Sequence, residues 1–141
     1  MLHTARAPGA STEVRKRILV VDDCPFFLEV IRDLLGEEFY VETANSGDKA
    51  IALLEAAGCE APFPTEPFDL VITDLEMPGK NGFDIAHYIK ARNKTNRFLP
   101  LLMLTEQEVT KAEARSHGCA DYIPKSNLKK VVAMARILFA R

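Results

Sequence analysis

Two adjacent acids, Asp22 and Asp23, directly follow the apolar run Ile18-Leu19-Val20-Val21. Adjacent carboxylates repel each other, so a strand that ends in such a pair favours a bound cation, and carboxylate oxygens suit a hard divalent metal. Asp is also a favoured N-cap, and Pro25 suits the first turn of a helix, so the pair has a second interpretation as a helix start. The pair alone does not choose between a metal site and a helix cap.

Three other chemically useful side chains stand at the ends of predicted strands. Asp74 ends the third strand, Thr105 ends the fourth, and Lys125 closely follows the fifth. Each has an ordinary structural explanation, as a turn former, a strand residue or a solvated cation. In a doubly wound sheet, however, the carboxyl ends of the strands form one ligand crevice. Their joint position with Asp22 and Asp23 therefore favours the metal interpretation.

The elements that must position these residues follow from the hydrophobic pattern. From Arg17 onward, short apolar runs alternate with segments of helical period, which predicts an α/β fold with a doubly wound five-stranded parallel sheet in three layers. The predicted strands are 17–22, 39–43, 69–74, 99–105 and 121–123. The first, third and fourth are continuously apolar, as central parallel strands are, so we expect them in the middle of the sheet.

Five helices are predicted between and after the strands. The first presents an inward face at i, i+3, i+4, i+7 spacing, made of Phe27, Val30, Ile31 and Leu34. The second begins after the cap Ser46 and the third follows Gly82. The fourth, 107–117, carries much charge and should pack lightly. The fifth, 128–139, has more apolar surface than one sheet face requires, which favours a partner surface.

Length and composition limit the function classes. The chain has 141 residues and a formal net charge of −2, so we expect one domain, with no field that favours nucleic acid or an anionic membrane. The division predicted is a polar tail at 1–16 and a folded domain at 17–141. Three cysteines without CxxC spacing argue against disulfides or zinc, and no stretch resembles a signal peptide or membrane span, so a cytoplasmic location is expected.

These motifs, in this order, resemble the receiver domain of two-component response regulators. The matching pieces are Val21-Asp22-Asp23-Cys24-Pro25-Phe26-Phe27, Asp74 followed by Met77-Pro78-Gly79 and Gly82-Phe83, Thr105, and Lys125 after Gly118-Cys119-Ala120-Asp121-Tyr122-Ile123-Pro124. The resemblance covers 17–139. It implies a flavodoxin-like (βα)5 fold with strand order 2-1-3-4-5.

The resemblance also implies a reaction. A histidine kinase, or a phosphotransfer protein, would pass a phosphoryl group from its phosphohistidine to Asp74. The cofactor implied is Mg²⁺, or Mn²⁺, held by Asp23, Asp74 and the backbone carbonyl of Glu76, with Asp22 acting mainly through water. Such a domain is not an enzyme in the usual sense, because it catalyses only its own phosphorylation and dephosphorylation.

The family's switch is implied at the same residues. Lys125 and Thr105 would bind the phosphoryl group, and Tyr122 would enter the space that Thr105 leaves. The surface affected, formed by the fourth helix, fifth strand and fifth helix, would bind a downstream protein target. No direct nucleic-acid or membrane partner is expected, and a phosphorylation-linked dimer is left open.

Two acids differ from the other matching residues, because one departs from the family pattern and the other stands at a position that varies within the family. Glu106 stands where the family usually has a small residue, which predicts slow phosphorylation by small donors and a stable phosphoryl state. Glu76 is at a variable site expected to tune dephosphorylation. Two alternative functions remain: a receiver-like scaffold that binds partners without phosphorylation, and a haloacid-dehalogenase-like phosphatase. The latter family has its second Asp two residues after the first, whereas position 24 here is Cys.

Overall fold

The computed structural model describes residues 15–58, 60–92 and 98–140. Within them five strands alternate with five helices, as the pattern predicts. The strands are β1 (Arg17–Val21), β2 (Tyr40–Ala44), β3 (Leu70–Thr73), β4 (Leu101–Thr105) and β5 (Asp121–Pro124). The helices are α1 (Pro25–Leu35), α2 (Gly47–Ala56), α3 (Gly82–Arg92), α4 (Lys111–Ser116) and α5 (Lys130–Ala140). Strand bounds differ from the predicted ones by one or two residues.

The strands form one parallel sheet in the order β2-β1-β3-β4-β5. This order and the central place of β1, β3 and β4 confirm the flavodoxin-like prediction. In the register, Val21 lies opposite Ala44 on one side and Thr73 on the other. The chain therefore leaves β1 and β3 at the same edge of the sheet, and the residues after both strands are neighbours.

Two hydrophobic cores cover the two faces of the sheet and complete the three layers. On one face α1 and α5 pack against alternate strand residues, including Ile18, Val20, Ile72, Leu102, Leu104 and Ile123. On the other face α2, α3 and α4 pack against the intervening ones, including Leu19, Val21, Val71, Leu101 and Met103. Because side chains alternate along a strand, each strand contributes to both cores, which explains the continuous apolar runs.

The inward face of α1 differs from the predicted one. Leu28, Ile31 and Leu35 are buried, whereas Leu34 is 41% exposed. The prediction for Leu34 is therefore wrong, because α1 carries apolar side chains on more than one face and its orientation is decided by packing. The excess apolar surface predicted for 128–139 is partly absorbed as well: Leu128, which precedes α5, and Val132 pack against the core, while Ile137 stays 52% exposed.

The fourth helix is shorter than predicted. It begins at Lys111, where the Thr110 hydroxyl accepts a hydrogen bond from the backbone N–H of Glu113 at 3.0 Å. Upstream, the N–H of Gln107 donates to the Thr105 hydroxyl at 3.1 Å. These local side-chain bonds compete with helix formation, so residues 107–110 form an irregular connection.

An aromatic stack joins α3 to the end of α4. The His117 ring stacks on the Phe83 ring with centroids 3.8 Å apart and planes 12° apart. At the edge of the same ring, His117 Nδ1 lies 3.0 Å from His87 Nε2. The stack holds the residue that ends α4 against the first two turns of α3.

Some expectations fall outside these residues. Residues 1–14 of the predicted polar tail, and Cys59, are not among those described. Within the part of the chain that is described, no helix has the length and apolar character needed to cross a membrane.

Candidate functional site

The acid pair leaves the sheet at the end of β1. The backbone N–H of Asp22 still donates to the carbonyl of Ala44 at 3.1 Å, so Asp22 is held by the edge of the sheet. Its carboxylate is 2% exposed and accepts a hydrogen bond from the N–H of Cys24 at 2.9 Å. Asp23 is exposed. The N-cap of α1 is Cys24, so the helix-cap interpretation of the pair is wrong.

The end of β3 places Asp74 beside the pair. Its N–H donates to the carbonyl of Val21 at 2.9 Å, and its Oδ1 accepts from the N–H of Leu75 at 2.8 Å. The side chain is mostly buried. The hydroxyl of the preceding Thr73 donates to the Asp74 carbonyl at 2.9 Å. Both carboxylate orientation and main-chain position are thus fixed by neighbouring backbone.

The three acids form a group that fits a divalent cation. Asp22, Asp23 and Asp74 each offer a carboxylate oxygen, and these three atoms lie within 4.8 Å of one another. Hard oxygen ligands of this kind are those that Mg²⁺ prefers, with waters completing its octahedron. Glu76 follows two residues after Asp74 and its side chain is exposed. The residues present therefore suit the metal that the sequence predicts.

Lys125 contacts two of the three acids. A short 3-10 turn, Lys125–Asn127, follows β5 and directs its side chain to the acids. Its Nζ lies 2.6 Å from Asp22 Oδ2 and 3.4 Å from Asp74 Oδ2, with 11% of the side chain exposed. Burial by itself lowers the pKa of this ammonium, but the hydrogen bond and charge of Asp22, followed by those of Asp74, outweigh burial and raise it. Lys125 therefore stays protonated.

The electrostatics of Asp74 differ from those of a surface carboxylate. Burial raises the pKa of Asp74, the Lys125 ammonium opposes that effect, and the charge of Asp22 raises the pKa further. The net direction is upward, so the fold holds the ionised form of Asp74 at a cost. A cation beside the three acids would offset the cost of burying the Asp74 charge and would reduce the repulsion between the carboxylates.

Thr105 and Tyr122 lie on the neighbouring strands β4 and β5, and Glu106 directly follows β4. Thr105 is 1% exposed, and its hydroxyl oxygen accepts the hydrogen bond from Gln107, while Glu106 is exposed. Tyr122 is half-buried and packs on the core beneath α3 and α4. Its register partner on β4 is Met103, two residues before Thr105. Thr105 and Tyr122 thus belong to adjacent strands at the α4 side of the sheet.

Phe27 lies at the site, although the sequence pattern predicts only a core position for it. Phe27 is predicted on the inward face of the first helix, and its ring does pack partly against the α1/α5 core. The same ring lies under Lys125, whose Nζ is 4.1 Å from the ring centroid. The available signal was an aromatic residue one helical turn after the acid pair.

Residues 18–136 match the family model described as the response regulator receiver domain. The chain belongs to the receiver family. Family members are signalling domains of two-component systems, and the acid cluster at the sheet edge is consistent with the family's magnesium pocket.

Individual relatives agree with this assignment. The receiver chain is 31% identical over 127 residues to the transcriptional regulatory protein AruR of Pseudomonas aeruginosa, covering 89% of the chain and 50% of AruR. It is 33% identical over 129 residues to ResD of Bacillus subtilis, covering 89% and 48%. The chain therefore spans about half the length of these curated relatives.

Solved structures show the same fold. The response regulator TrrA of Thermotoga maritima, solved in complex with Mg²⁺ and BeF, superposes with a TM-score of 0.71 at 30% identity, covering 87% of this receiver and 98% of TrrA. The chemotaxis response regulator CheY4 of Vibrio cholerae gives a TM-score of 0.71 at 25% identity, with 89% and 99% covered.

Proposed function

We propose that this receiver accepts a phosphoryl group from a histidine kinase phosphohistidine onto Asp74 in a Mg²⁺-dependent reaction. The observation that carries the proposal is the meeting of three carboxylates, Asp22, Asp23 and Asp74, with the buried ammonium of Lys125 at one edge of the sheet. The TrrA complex with Mg²⁺ and BeF supports it by analogy.

The transfer needs positioning and charge neutralisation more than covalent assistance. A carboxylate oxygen of Asp74 attacks phosphorus, the new P–O bond forms, and the P–N bond of the phosphohistidine breaks with its electron pair left on the imidazole nitrogen. Hydrolysis later removes the phosphoryl group: a water oxygen attacks phosphorus, the bond to Asp74 breaks, and the carboxylate, inorganic phosphate and a proton are released.

The chain's own groups divide the remaining work. Asp23, Asp74 and the backbone carbonyl of Glu76 would hold Mg²⁺, with Asp22 acting through water. When bound, the metal supplies positive charge where an anionic acceptor meets an anionic donor. Lys125 supplies a second positive charge that can leave Asp22 for a phosphoryl oxygen.

The switch proposed for this receiver begins at Thr105. Its hydroxyl now accepts a hydrogen bond from Gln107, and its own proton can be donated to a phosphoryl oxygen. Movement of Thr105 toward Asp74 would open space for Tyr122 beneath α4. The affected surface is α4, β5 and α5, where the exposed Ile137 offers an apolar contact to a downstream protein or to a second receiver.

Two acids would modulate the rates. Glu106 is exposed and directly follows the buried Thr105, so its charge would oppose both an anionic donor and an attacking water. Glu76 is exposed two residues after Asp74 and would tune dephosphorylation. A strong Glu106 effect favours the scaffold alternative, in which this receiver binds partners without phosphorylation. The family assignment leaves the phosphatase alternative without support.

The test is intact mass after incubation with Mg²⁺ and a phosphorylated histidine kinase or phosphotransfer protein. We expect a labile gain of one phosphoryl group in the wild type and no gain in Asp74→Asn. Asp84→Asn is a matched control on an exposed acid of α3 and should behave as the wild type. No gain from protein donors or from phosphoramidate would favour the scaffold. Turnover of an added phosphate ester would overturn both.

A further inference from the structure

The ring of Phe27 lies against the Lys125 ammonium that contacts Asp22 and Asp74. Nζ is 2.6 Å from Asp22 Oδ2, 3.4 Å from Asp74 Oδ2 and 4.1 Å from the Phe27 centroid. This last distance is well inside the range of cation–π attraction, about 6 Å. Carboxylates and an aromatic face together enclose the ammonium, which accounts for its low exposure.

Phe27 is held by a helix. It is the third residue of α1, whose first position is Pro25, and it is followed by the buried Leu28. Its ring rests partly against the α1/α5 core. The adjacent Phe26 points away and is 73% exposed. Substitutions at the two positions therefore distinguish the general effect of an aromatic residue in this turn from the effect of the contact with Lys125.

We infer that Phe27 is a positioning residue for Lys125, which keeps the ammonium within reach of the phosphoryl group on Asp74. The inference rests on the proposed function. A lysine ammonium is strongly hydrated and its four-carbon stem is flexible, so without a cover it would move into water. The ring excludes that water, and the attraction between Lys125 and the carboxylates is then less screened.

An aromatic face suits this role better than a hydrogen-bond acceptor. Cation–π attraction comes from the ring quadrupole and does not require a fixed hydrogen bond from the ammonium to the ring. The ammonium can therefore exchange Asp22 Oδ2 for a phosphoryl oxygen while it remains on the ring. An aliphatic residue of similar bulk would fill the core but would give no such surface.

The test compares Phe27→Leu, Phe27→Tyr and the control Phe26→Leu. The first measurement needs no phosphorylation: the proton chemical shifts of the Lys125 Cε methylene in ¹³C-lysine-labelled protein. Protons above an aromatic face shift upfield. We expect that shift in the wild type, Phe27→Tyr and Phe26→Leu, and its loss in Phe27→Leu. An unshifted methylene in the wild type, or an unchanged shift in Phe27→Leu, would overturn the inference.

The second measurement is the rate of phosphorylation by phosphoramidate, a small donor that does not need a docking surface. We expect Phe27→Leu to slow it about tenfold, Phe27→Tyr to retain it, and Phe26→Leu to leave it unchanged. In a Lys125→Met background the Phe27→Leu change should have no further effect. An equal loss in that background would mean that Phe27 acts through packing alone, and the inference would fail.

The two proposals fail in different ways. If the wild type takes up no phosphoryl group from any donor, the proposed function fails while the methylene shift still reports whether Phe27 covers Lys125. If the wild type is phosphorylated and Phe27→Leu reacts at the wild-type rate, only the role of Phe27 is lost. Urea unfolding of each variant establishes that the compared proteins are folded.

Discussion

Gly82, the first residue of α3, lies against the backbone of Asp74 so closely that a Cβ on Gly82 would be 2.5 Å from the Asp74 carbonyl oxygen. The same Cβ would lie 3.0 Å from the side chain of Met103. The N–H of Gly82 donates to the carbonyl of Leu75 at 2.9 Å. The start of α3 and Asp74 therefore form one packed unit, and a side chain at position 82 would force the backbone there to shift.

Gly82→Ala should destabilise the domain by about 1–3 kcal/mol, because real Cβ contacts do not reach such distances and the backbone after β3 must shift. Urea unfolding measures the change. Gly79→Ala is the contrast: Gly79 has a φ of 77° but no heavy atom within 4 Å of an added Cβ, so it should cost only about 1 kcal/mol of backbone strain. Equal stability of Gly82→Ala and the wild type would contradict the packing described.

Asp74→Asn should raise the melting temperature by a few degrees in the absence of divalent metal. The folded-state pKa of Asp74 is raised, so its ionisation opposes folding at neutral pH, and the difference between variant and wild type should vanish as pH falls below the ordinary value of 3.8. Calorimetric scans across pH measure it. Asp48→Asn, on an exposed acid, should not raise the melting temperature.

Lys125→Met should lower the free energy of unfolding by about 3 kcal/mol, because it leaves Asp22 buried without its cation. Lys129→Met is the control, since Lys129 is exposed, and should change stability by less than about 0.5 kcal/mol. The double variant Asp22→Asn with Lys125→Met should recover most of the loss. Urea unfolding in the presence of a metal chelator measures these free energies. A double variant as unstable as Lys125→Met alone would contradict the pairing of Lys125 with Asp22.

Cys119 should resist thiol reagents while Cys24 reacts. Burial raises the pKa of the Cys119 thiol to about 11, so at pH 8 only about one molecule in a thousand carries the thiolate. Cys24 is exposed. In a Cys59→Ser background, a colorimetric disulfide reagent should titrate one thiol quickly and the second only in urea. Fast reaction of both thiols in the folded protein would contradict the burial.

The same pKa shift predicts a pH dependence of stability. In the unfolded chain the Cys119 thiol ionises near 9.0, whereas in the folded protein it stays protonated to about 11. Unfolding therefore releases a proton between these values, and the free energy of unfolding falls as pH rises through this window. Cys119→Ala removes this component, so the stability advantage of the wild type over the variant should shrink from pH 9 to 11.

Glu106→Gln should speed phosphorylation by phosphoramidate and shorten the phosphoryl lifetime, each by about tenfold, because a negative charge beside the acceptor no longer repels the donor. Glu106→Ala then distinguishes the effect of charge from that of side-chain size. If its rates exceed those of Glu106→Gln, the additional increase comes from removing a side chain that hinders access to Asp74. Glu108→Gln, on an exposed residue two positions on, is the control. Unchanged rates for both Glu106 variants would remove this acid from the regulation proposed.

The strand-end residues were predictable because parallel topology alone places them. Once β1 and β3 were identified as buried parallel strands, Asp22 and Asp74 had to leave the sheet at one edge. The face of α1 was not predictable in the same way: Leu34 and Leu35 differ by one residue, about 100° of rotation, and both are apolar, so only contact with the sheet decides which is buried.

Local polar bonds and distant contacts account for the other differences. The start of α4 depends on hydroxyl bonds at Thr105 and Thr110, which compete with the weak helical pattern from residue 107 onward. The contact of Phe27 with Lys125 joins residues separated by most of the chain, so the aromatic residue after the acid pair does not by itself reveal its partner. The hydrophobic pattern predicts which residues of each element are buried on average. Contacts between residues of different elements can be identified only once the folded backbone is known.

The stack of Phe83, His117 and His87 gives this domain a built-in spectroscopic reporter. The chain has only three histidines, so imidazole proton signals are few and can be assigned by single substitution. Because the His117 ring lies 3.8 Å from the Phe83 ring, its chemical shift depends steeply on how the end of α4 sits on α3. Displacement of α4 can therefore be followed in solution at a single imidazole, without an attached label.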